Sequence, residues 1–516
     1  MELKLNREAL CVNEVVYDGI NEQSVEFDYI LPDYYPAIFK ILKCQLTPRI
    51  VSYNTTSDRL TYDAVVQIKV LYCAEDSRSV KCVDQRFSYS KTIELSRSCS
   101  NPQVTITPKL DYCNCRAVSE RRLDIRGAVS CKVRVTCKGI KDIISNMSGM
   151  GVQCRKKNVN YDGGRLYTSK QNTLRETIEL SPSKPPAQTL IRYDAVATAG
   201  DCKLIANKVI AKGEAVLTML YATDIGNGQE LETMQMTIPI SQIIDLEGIN
   251  EEYICYVDMN VAGCDVVIKQ GNDDENRIFS VEIVILTTCN AHKETQIQYI
   301  TDSYSTDFST SFTTDTVKVE MPPTRINQSF IAESTVEFAD GTIDAVLDAW
   351  SMVSNITTKA ISSEEIVVSA TLTSCILARA SDGTTIYLES NEVVDNTIMV
   401  AGVNEDSVFF PTVCVNSTSF SLASNNAVEV RSEICIRGCL YDVVSVTVTK
   451  EIKVDEGAPK KKDTTYALKI YYADIGEDVW NIAKRYNTSV NAIMDENELE
   501  TEVLQKRGMI LIPIID

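Results

Sequence analysis

His292 is the only histidine in 516 residues, so the usual general base, triad member and imidazole metal ligand can occur at one place at most. Cys289 precedes it by three residues in CNAHKE, and this is the one thiol–imidazole pairing the chain offers. A cysteine nucleophile needs a nearby base or cation to lower its pKa. Residues three apart on a strand point to opposite faces, so this pair works only if a loop brings the two together. Of the 18 cysteines, the close pairs Cys113/Cys115 and Cys435/Cys439 lack the doubled CxxC spacing of zinc ribbons. Carboxylates are too numerous, at 71 acidic against 51 basic residues, for any two to be singled out as an acid–base pair. The expectation is a chain without enzymatic activity, metal or cofactor.

Charge and termini narrow the class further. A net charge of −20 repels phosphate backbones and anionic lipid heads, so no nucleic-acid partner is expected. The opening MELKLNREALCVNEV has no apolar run of the secretory kind, and no later stretch is long and apolar enough for a membrane span. A cytoplasmic chain is therefore expected, with its cysteines mostly serving as small buried hydrophobes.

The elements that would carry any site are strands. In CKVRVTCKG (131–139), Cys131, Val133, Val135 and Cys137 alternate with Lys132, Arg134, Thr136 and Lys138, the pattern of a strand with one wet face. Segments 63–72, 277–286, 426–436 and 443–454 behave alike, and clusters such as SDG (381–383) and NDDEN (272–276) read as turns. A repeat is also visible. LPDYYPAIFKIL (31–42) aligns with LSPSKPPAQTLI (180–191), and VLYCAED (70–76) with MLYATDI (219–225), both at a spacing of 149 (185 − 36, 221 − 72). A fainter third copy begins near EEIVVSATLTSCILARASD (364–382). The fold class expected is mainly β, with three tandem β-sandwich-like modules at 1–145, 146–300 and 301–454 followed by a small α+β domain. Ser/Thr-rich 301–316 reads as a joint between modules, although Tyr304, Phe308 and Phe312 recur every four residues and would also suit a packing arm. Residues 455–465, with Gly457, Pro459 and three lysines, read as a solvated tether.

Beyond the tether the periodicity changes. ALKIYY (467–472) alternates as a strand, then Val479, Ile482, Ala483 and Tyr486 mark one helical face, with Asp478 as N-cap. Ser489 caps a second helix bearing Val490, Ile493 and Met494, and MILIPI (509–514) closes a strand–helix–helix–strand unit over 466–516. On Gly476, Val479, Trp480, Ile482, Ala483, Tyr486, Asn497, Leu499, Gly508, Ile512 and Pro513, this unit resembles a LysM domain. LysM domains generally bind N-acetylglucosamine polymers through the loops joining strands and helices. Here Glu477 and Asp478 stand where the family has Asp and Thr, and Arg507 where it has Pro. From Ala467 onward there are five basic and nine acidic residues, net −4, a balance that suits a basic protein surface better than a neutral glycan. The partner- or glycan-binding residues expected are Leu468, Gly476, Glu477, Asp478, Val479, Trp480, Met494 and Asn497. Trp480 reads either as an exposed anchor or as a residue packed on the second strand.

At the other end, Pro32, Asp33, Pro36, Ile38, Ile41 and Leu42 resemble the opening of the SPOCS domains of spore-forming Firmicutes, with Ala37 departing from the usual Asp; DSYSTDF (302–308) is similar to that family's inter-domain joint. Several SPOCS copies before one LysM look like the clostridial spore-coat morphogenetic proteins of the SipL type. The resemblance implies a non-enzymatic coat-assembly scaffold in the mother cell at the forespore surface. It also implies a LysM that binds the basement-layer ATPase, stage IV sporulation protein A, with other coat proteins as further partners. The alternative is an anchor that binds cortex or envelope peptidoglycan.

Overall fold

The computed structural model describes residues 2–74, 79–224, 229–269, 276–461 and 466–514. The first module comprises β1 (Lys4–Ile30), β2 (Ile38–Thr55), β3 (Arg59–Ala74), β4 (Val80–Glu94), β5 (Gln103–Ser119) and β6 (Arg122–Ser148). Its two sheets have the orders β1-β6-β5 and β2-β3-β4, with antiparallel pairing throughout. The second module repeats this order. In β7 (Val152–Glu179), β8 (Thr189–Ile205), β9 (Lys208–Asp224), β10 (Gln229–Asp245), β11 (Ile254–Lys269) and β12 (Ile278–Ser305), the sheets are β7-β12-β11 and β8-β9-β10. In the third module the first strand is divided by Met321–Pro323 into β13 (Phe308–Glu320) and β14 (Thr324–Glu337). Then come β15 (Ile343–Ser362), β16 (Glu365–Ala380), β17 (Thr385–Met399), β18 (Val408–Phe409), β19 (Thr412–Ser424), β20 (Ala427–Tyr441) and β21 (Val443–Pro459). Prolines 322 and 323 lack the N–H that a continuous ladder requires, so the strand breaks there. The inward faces of the two sheets pack on one another in each module, as a single cluster in module 2 that joins Ala197, Leu217 and Ile238 to Val257, Phe279 and Ile283, and as divided clusters in modules 1 and 3.

The same backbone contacts recur in all three copies. The loop from first to second strand is stapled to the turn between the fifth and sixth. Leu31 N donates to Arg121 O and Ile38 N to Glu120 O in module 1. Leu180 N to Arg277 O and Ala187 N to Asn276 O, then Phe338 N to Asn426 O and Ile343 N to Asn425 O, are the counterparts. The aligned residues of the repeat meet physically: Tyr72 Oη donates to Pro36 O at 3.0 Å, and Tyr221 Oη to Pro185 O at 3.5 Å. Both rings are fully buried, so each hydroxyl needs that partner.

The modules are not strung along a line. Leu71, Leu220 and Leu377, each the thirteenth residue of its strand (β3, β9, β16), lie in one buried cluster with Leu42, Ile191 and Trp350. A second shared cluster takes Leu10, Val12 and Ile143 from module 1, Tyr161, Ile297 and Tyr299 from module 2, and Val317, Val319, Val446 and Val448 from module 3. Three two-stranded ribbons, β1/β6, β7/β12 and β13/β21, therefore pack against one another. Beside them Arg165 ties the modules together: it donates to Gln103 Oε1 at 3.0 Å, Glu320 Oε2 at 2.5 Å and Asp162 Oδ2 at 3.0 Å. His292 Nδ1 lies 2.7 Å from the same Asp162 oxygen, its ring between those of Tyr256 and Tyr441.

Three expectations are corrected, while the separation of Cys289 from His292 by strand alternation holds. Residues 301–316 are not a linker but the end of β12 and most of β13, in which Thr310, Phe312, Thr314 and Thr316 pair with β21. The Ser/Thr content that suggests a loop also suits a half-exposed strand. The tether at 455–465 is strand through Pro459, because Ser309 pairs with Asp455 and Phe308 with Pro459; 462–465 lie outside the described residues, as does most of the NDDEN turn. Cys99 is bonded to Cys137, which departs from the expectation of cysteines acting as buried hydrophobes. Cys289 faces the module-2 core whereas His292 faces Asp162 on the other side of β12, so they form no pair.

Two measurements follow from this packing. Leu220→Ala should cost about 3 kcal/mol, the usual range for a buried Leu truncated to Ala, and should lower the urea midpoint of modules 1 and 3 as well as module 2. Burial depresses the His292 pKa from its ordinary 6.5, with the Asp162 carboxylate acting against this. The unfolded chain thus binds a proton near pH 6.5 that the folded chain refuses, and this contribution to stability is lost as pH falls below about 6.5 toward the folded value. His292→Gln should flatten the fall in urea midpoint between pH 7.5 and 5.5; an unchanged slope would contradict the assignment.

Candidate functional site

The C-terminal domain is built from β22 (Leu468–Ala473), α1 (Val479–Tyr486), α2 (Val490–Glu496) and β23 (Gly508–Pro513). The strands pair antiparallel from Leu468↔Pro513 to Ala473↔Gly508. Asp478 Oδ1 accepts from Trp480 N at 2.9 Å and caps α1, and Ser489 Oγ accepts from Ala492 N at 3.1 Å and caps α2. Ala473, Val479, Ile482, Ala483, Val490, Ile493, Leu504, Ile510 and Ile512 form the core under one face of the sheet.

One ring in that core comes from outside the domain. Tyr304, near the end of β12 and only 2% exposed, stands edge-on to Trp480 with ring centroids 5.0 Å apart, and its Oη donates to Thr488 O at 2.7 Å. Asp302 Oδ2 accepts from Trp480 Nε1 at 2.8 Å, and Asp302 Oδ1 accepts from Lys484 Nζ at 2.7 Å. Burial raises the Asp302 pKa, but the bonds from Lys484 and Trp480 outweigh it and hold the carboxyl below its usual value. Arg155 Nη1 meets Asp478 Oδ2 at 2.7 Å, and Lys460 Nζ reaches Asn487 Oδ1 at 2.6 Å. The domain is thus seated on the ends of β7, β12 and β21.

The eight expected binding residues do not form one surface. Asp478 and Trp480 face the seat, so Trp480 is neither an exposed anchor nor simply packed on the second strand. Val479 is core and Met494 half-buried against it. Asn497 ties α2 to β23, donating to Ile493 O and Leu511 O and accepting from Leu511 N at 2.7 Å. Gly476, at φ +85°, makes the left-handed turn that returns the chain to α1. Glu477 accepts from Tyr471 Oη at 3.0 Å and from Asp474 N at 3.2 Å, so both its oxygens are engaged within the turn.

Leu468 lies elsewhere, on the sheet face away from the helices. It is 42% exposed there, beside Ile470 at 60%, Tyr472 at 78% and Met509 at 52%, with Tyr472 paired to Met509. Ile475 and Val503, also exposed, lie at the two connections. Sequence reading passed over Ile470, Tyr472 and Met509; the signal was present in IYY, where alternation puts Ile470 and Tyr472 on Leu468's face. It also missed Arg155, Asp302 and Lys460, whose roles depend on where distant strands end.

Comparison with known families places these parts. The family model described as the SipL SPOCS domain matches residues 37–118 and 186–269, and the LysM domain model matches 475–513. The two SPOCS matches begin 149 residues apart (186 − 37) and cover the second to fifth strands of modules 1 and 2. Module 3 has the same strand order but lies outside both matches. No curated protein and no solved structure matches the chain. The chain carries SPOCS domains and a C-terminal LysM domain, the SipL-type architecture, which supports a LysM-bearing protein associated with the spore coat in sporulation. Both domain families are non-catalytic. Among the described residues no helix is long and apolar enough to cross a membrane.

Asp302→Ala should unseat the LysM domain by removing a charged acceptor, a loss of roughly 1.5–3 kcal/mol. Emission from Trp480, read against a Trp480→Phe chain, should shift to the red while the domain's helical circular dichroism persists. An unshifted spectrum would show that the seat does not depend on Asp302.

Proposed function

We propose that the chain is a non-catalytic scaffold of spore-coat assembly whose LysM domain binds a basement-layer protein of the stage IV sporulation protein A type. The observation that carries this reading is the outward face of the LysM sheet, where Leu468, Ile470, Tyr472 and Met509 are exposed together. Contiguous apolar surface rimmed by polar groups is characteristic of protein docking sites, and clustered aliphatic and aromatic side chains supply hot spots. Exposed Glu500 and Glu502 lie at the connection that carries Val503, Asp474 beside Ile475 is paired with Arg507 at 3.0 Å, and residues 467–516 carry a net charge of −4. That sign favours a partner with basic residues about an apolar knob.

The turn that would grip sugars offers little free hydrogen-bonding capacity. Glu477 is occupied by Tyr471 and Asp474, and Asp478 by the helix cap and Arg155. A glycan reader needs such polar groups free to meet hydroxyls. A protein-binding LysM needs the seat on modules 2 and 3 to hold its apolar face outward, and the contacts of Asp302, Tyr304 and Trp480 supply that.

Ile470→Glu in the full chain should weaken capture of the stage IV sporulation protein A type partner at least tenfold, about 1.4 kcal/mol, without altering far-ultraviolet circular dichroism. Retention on insoluble peptidoglycan that survives Ile470→Glu and is competed by chitin oligomers, with partner capture unaffected, would favour the anchor reading instead.

A further inference from the structure

Each sandwich has a seam where two edge strands from opposite sheets face one another without a shared backbone ladder. In module 1 the seam lies between β2, which pairs only with β3, and β5, which pairs only with β6. Cys44 on β2 and Cys113 on β5 meet across it with sulfurs 3.6 Å apart. Cys115, two residues along β5 and so on the same face, also reaches Cys44. All three thiols are half-buried against the module-1 core rather than sealed within it. Module 2 repeats the arrangement at the corresponding seam. Cys202 on β8 lies with its sulfur 3.3 Å from Cys255 O on β11, and its thiol interacts with that of Cys255. Module 3 has no cysteine on β15 to face Cys414 of β19, which lies opposite Cys435 of the neighbouring strand instead.

We propose that Cys44 with Cys113 or Cys115, and Cys202 with Cys255, are oxidation sites at which a hydroperoxide converts facing thiols to disulfides, joining the two sheets of modules 1 and 2 covalently. The chemistry balances. A β5 thiolate attacks the peroxide, forming an S–O bond, breaking O–O and releasing one water once the proton from sulfur is counted. The Cys44 sulfur then attacks the sulfenic acid; S–S forms, S–O breaks, and the departing hydroxide takes the Cys44 proton as a second water. Two thiols and one hydrogen peroxide give one disulfide and two waters. Hydrogen bonding by Cys44 lowers the pKa of Cys113 and Cys115, with Lys43 adding to the effect at Cys113, which makes β5 the attacking side. The Cys44 and Cys113 sulfurs need to close by less than 2 Å to reach bonding distance, about 2.05 Å, and among the described residues the backbone bond joining the two strands' ends, Ile38 N to Glu120 O, lies six residues (44 − 38) from Cys44. The link would close a loop across 69 residues of sequence, which constrains the unfolded chain strongly.

The test uses the full chain, reduced, desalted, treated with hydrogen peroxide, then blocked with iodoacetamide and digested with trypsin without reductant. Peptide 44–49 should be recovered linked to peptide 110–116, which carries both Cys113 and Cys115, and peptide 193–203 linked to the one carrying Cys255. Each linked pair should weigh two hydrogen atoms less than its free components. The oxidised chain should melt several degrees higher, and Cys44→Ser should remove the first link while the second still forms. Recovery of peptide 44–49 fully alkylated, with Cys113 joined to Cys115 or oxidised to sulfinic acid, would overturn the module-1 assignment. Cys202 joined to partners other than Cys255, or not joined at all, would overturn that for module 2.

Discussion

The structure depends on apolar burial shared among three copies of one module. A single six-stranded sandwich buries its inward faces, but Leu71, Leu220 and Leu377 point away from those faces and meet each other. Because the three leucines occupy the same place in their strands, packing that is adequate for one pair suits the others, and the modules gather about a common centre instead of extending as a row. The valines, isoleucines and tyrosines of the three ribbons repeat this solution at a second level. Removing such surfaces from water, at about 25 cal/mol per Å², is the only term large enough to hold three domains together. The Arg165 network adds register more than strength, since buried ion pairs must first offset their own desolvation.

This gathering decides where the LysM domain sits. β7 begins, and β12 and β21 end, close together, so Arg155, Asp302, Tyr304 and Lys460 converge from distant parts of the chain. Tyr304 completes the LysM core, so the domain is seated by its own hydrophobic packing as well as by the Asp302 carboxylate. α1, with its cap Asp478, Trp480 and Lys484, and the junction at Asn487 and Thr488 face that seat, whereas Asp474–Gly476 of the strand-to-helix turn and the outer sheet face are exposed.

Much of this was legible in the sequence. Alternation identified the strands because one face of each is wet, and the 149-residue spacing identified the repeat because Pro36/Tyr72 and Pro185/Tyr221 make the same hydrogen bond. The βααβ unit was legible because its caps and helical stripes are local. What failed depends on distance. Residues 301–316 and 455–459 have loop-like composition but become strand because 302–305 pair with the start of β7 and 308–316 with β21, Ser309 on Asp455 and Phe308 on Pro459. Trp480 was a plausible surface anchor until a tyrosine 176 residues earlier (480 − 304) was found against it. The module arrangement was also beyond reach, because outward-facing leucines look the same in sequence whether they meet solvent, another module or another protein.

Amide hydrogen exchange on the full chain, with and without the stage IV sporulation protein A type partner, tests the central claim most directly. The expected result is slowed exchange confined to 468–473 and 508–513, with the seat at 302–305 and 478–488 unchanged. Slowing at 474–480 that chitin oligomers reproduce and the protein partner does not, or exposure of the seat when the partner binds, would contradict it.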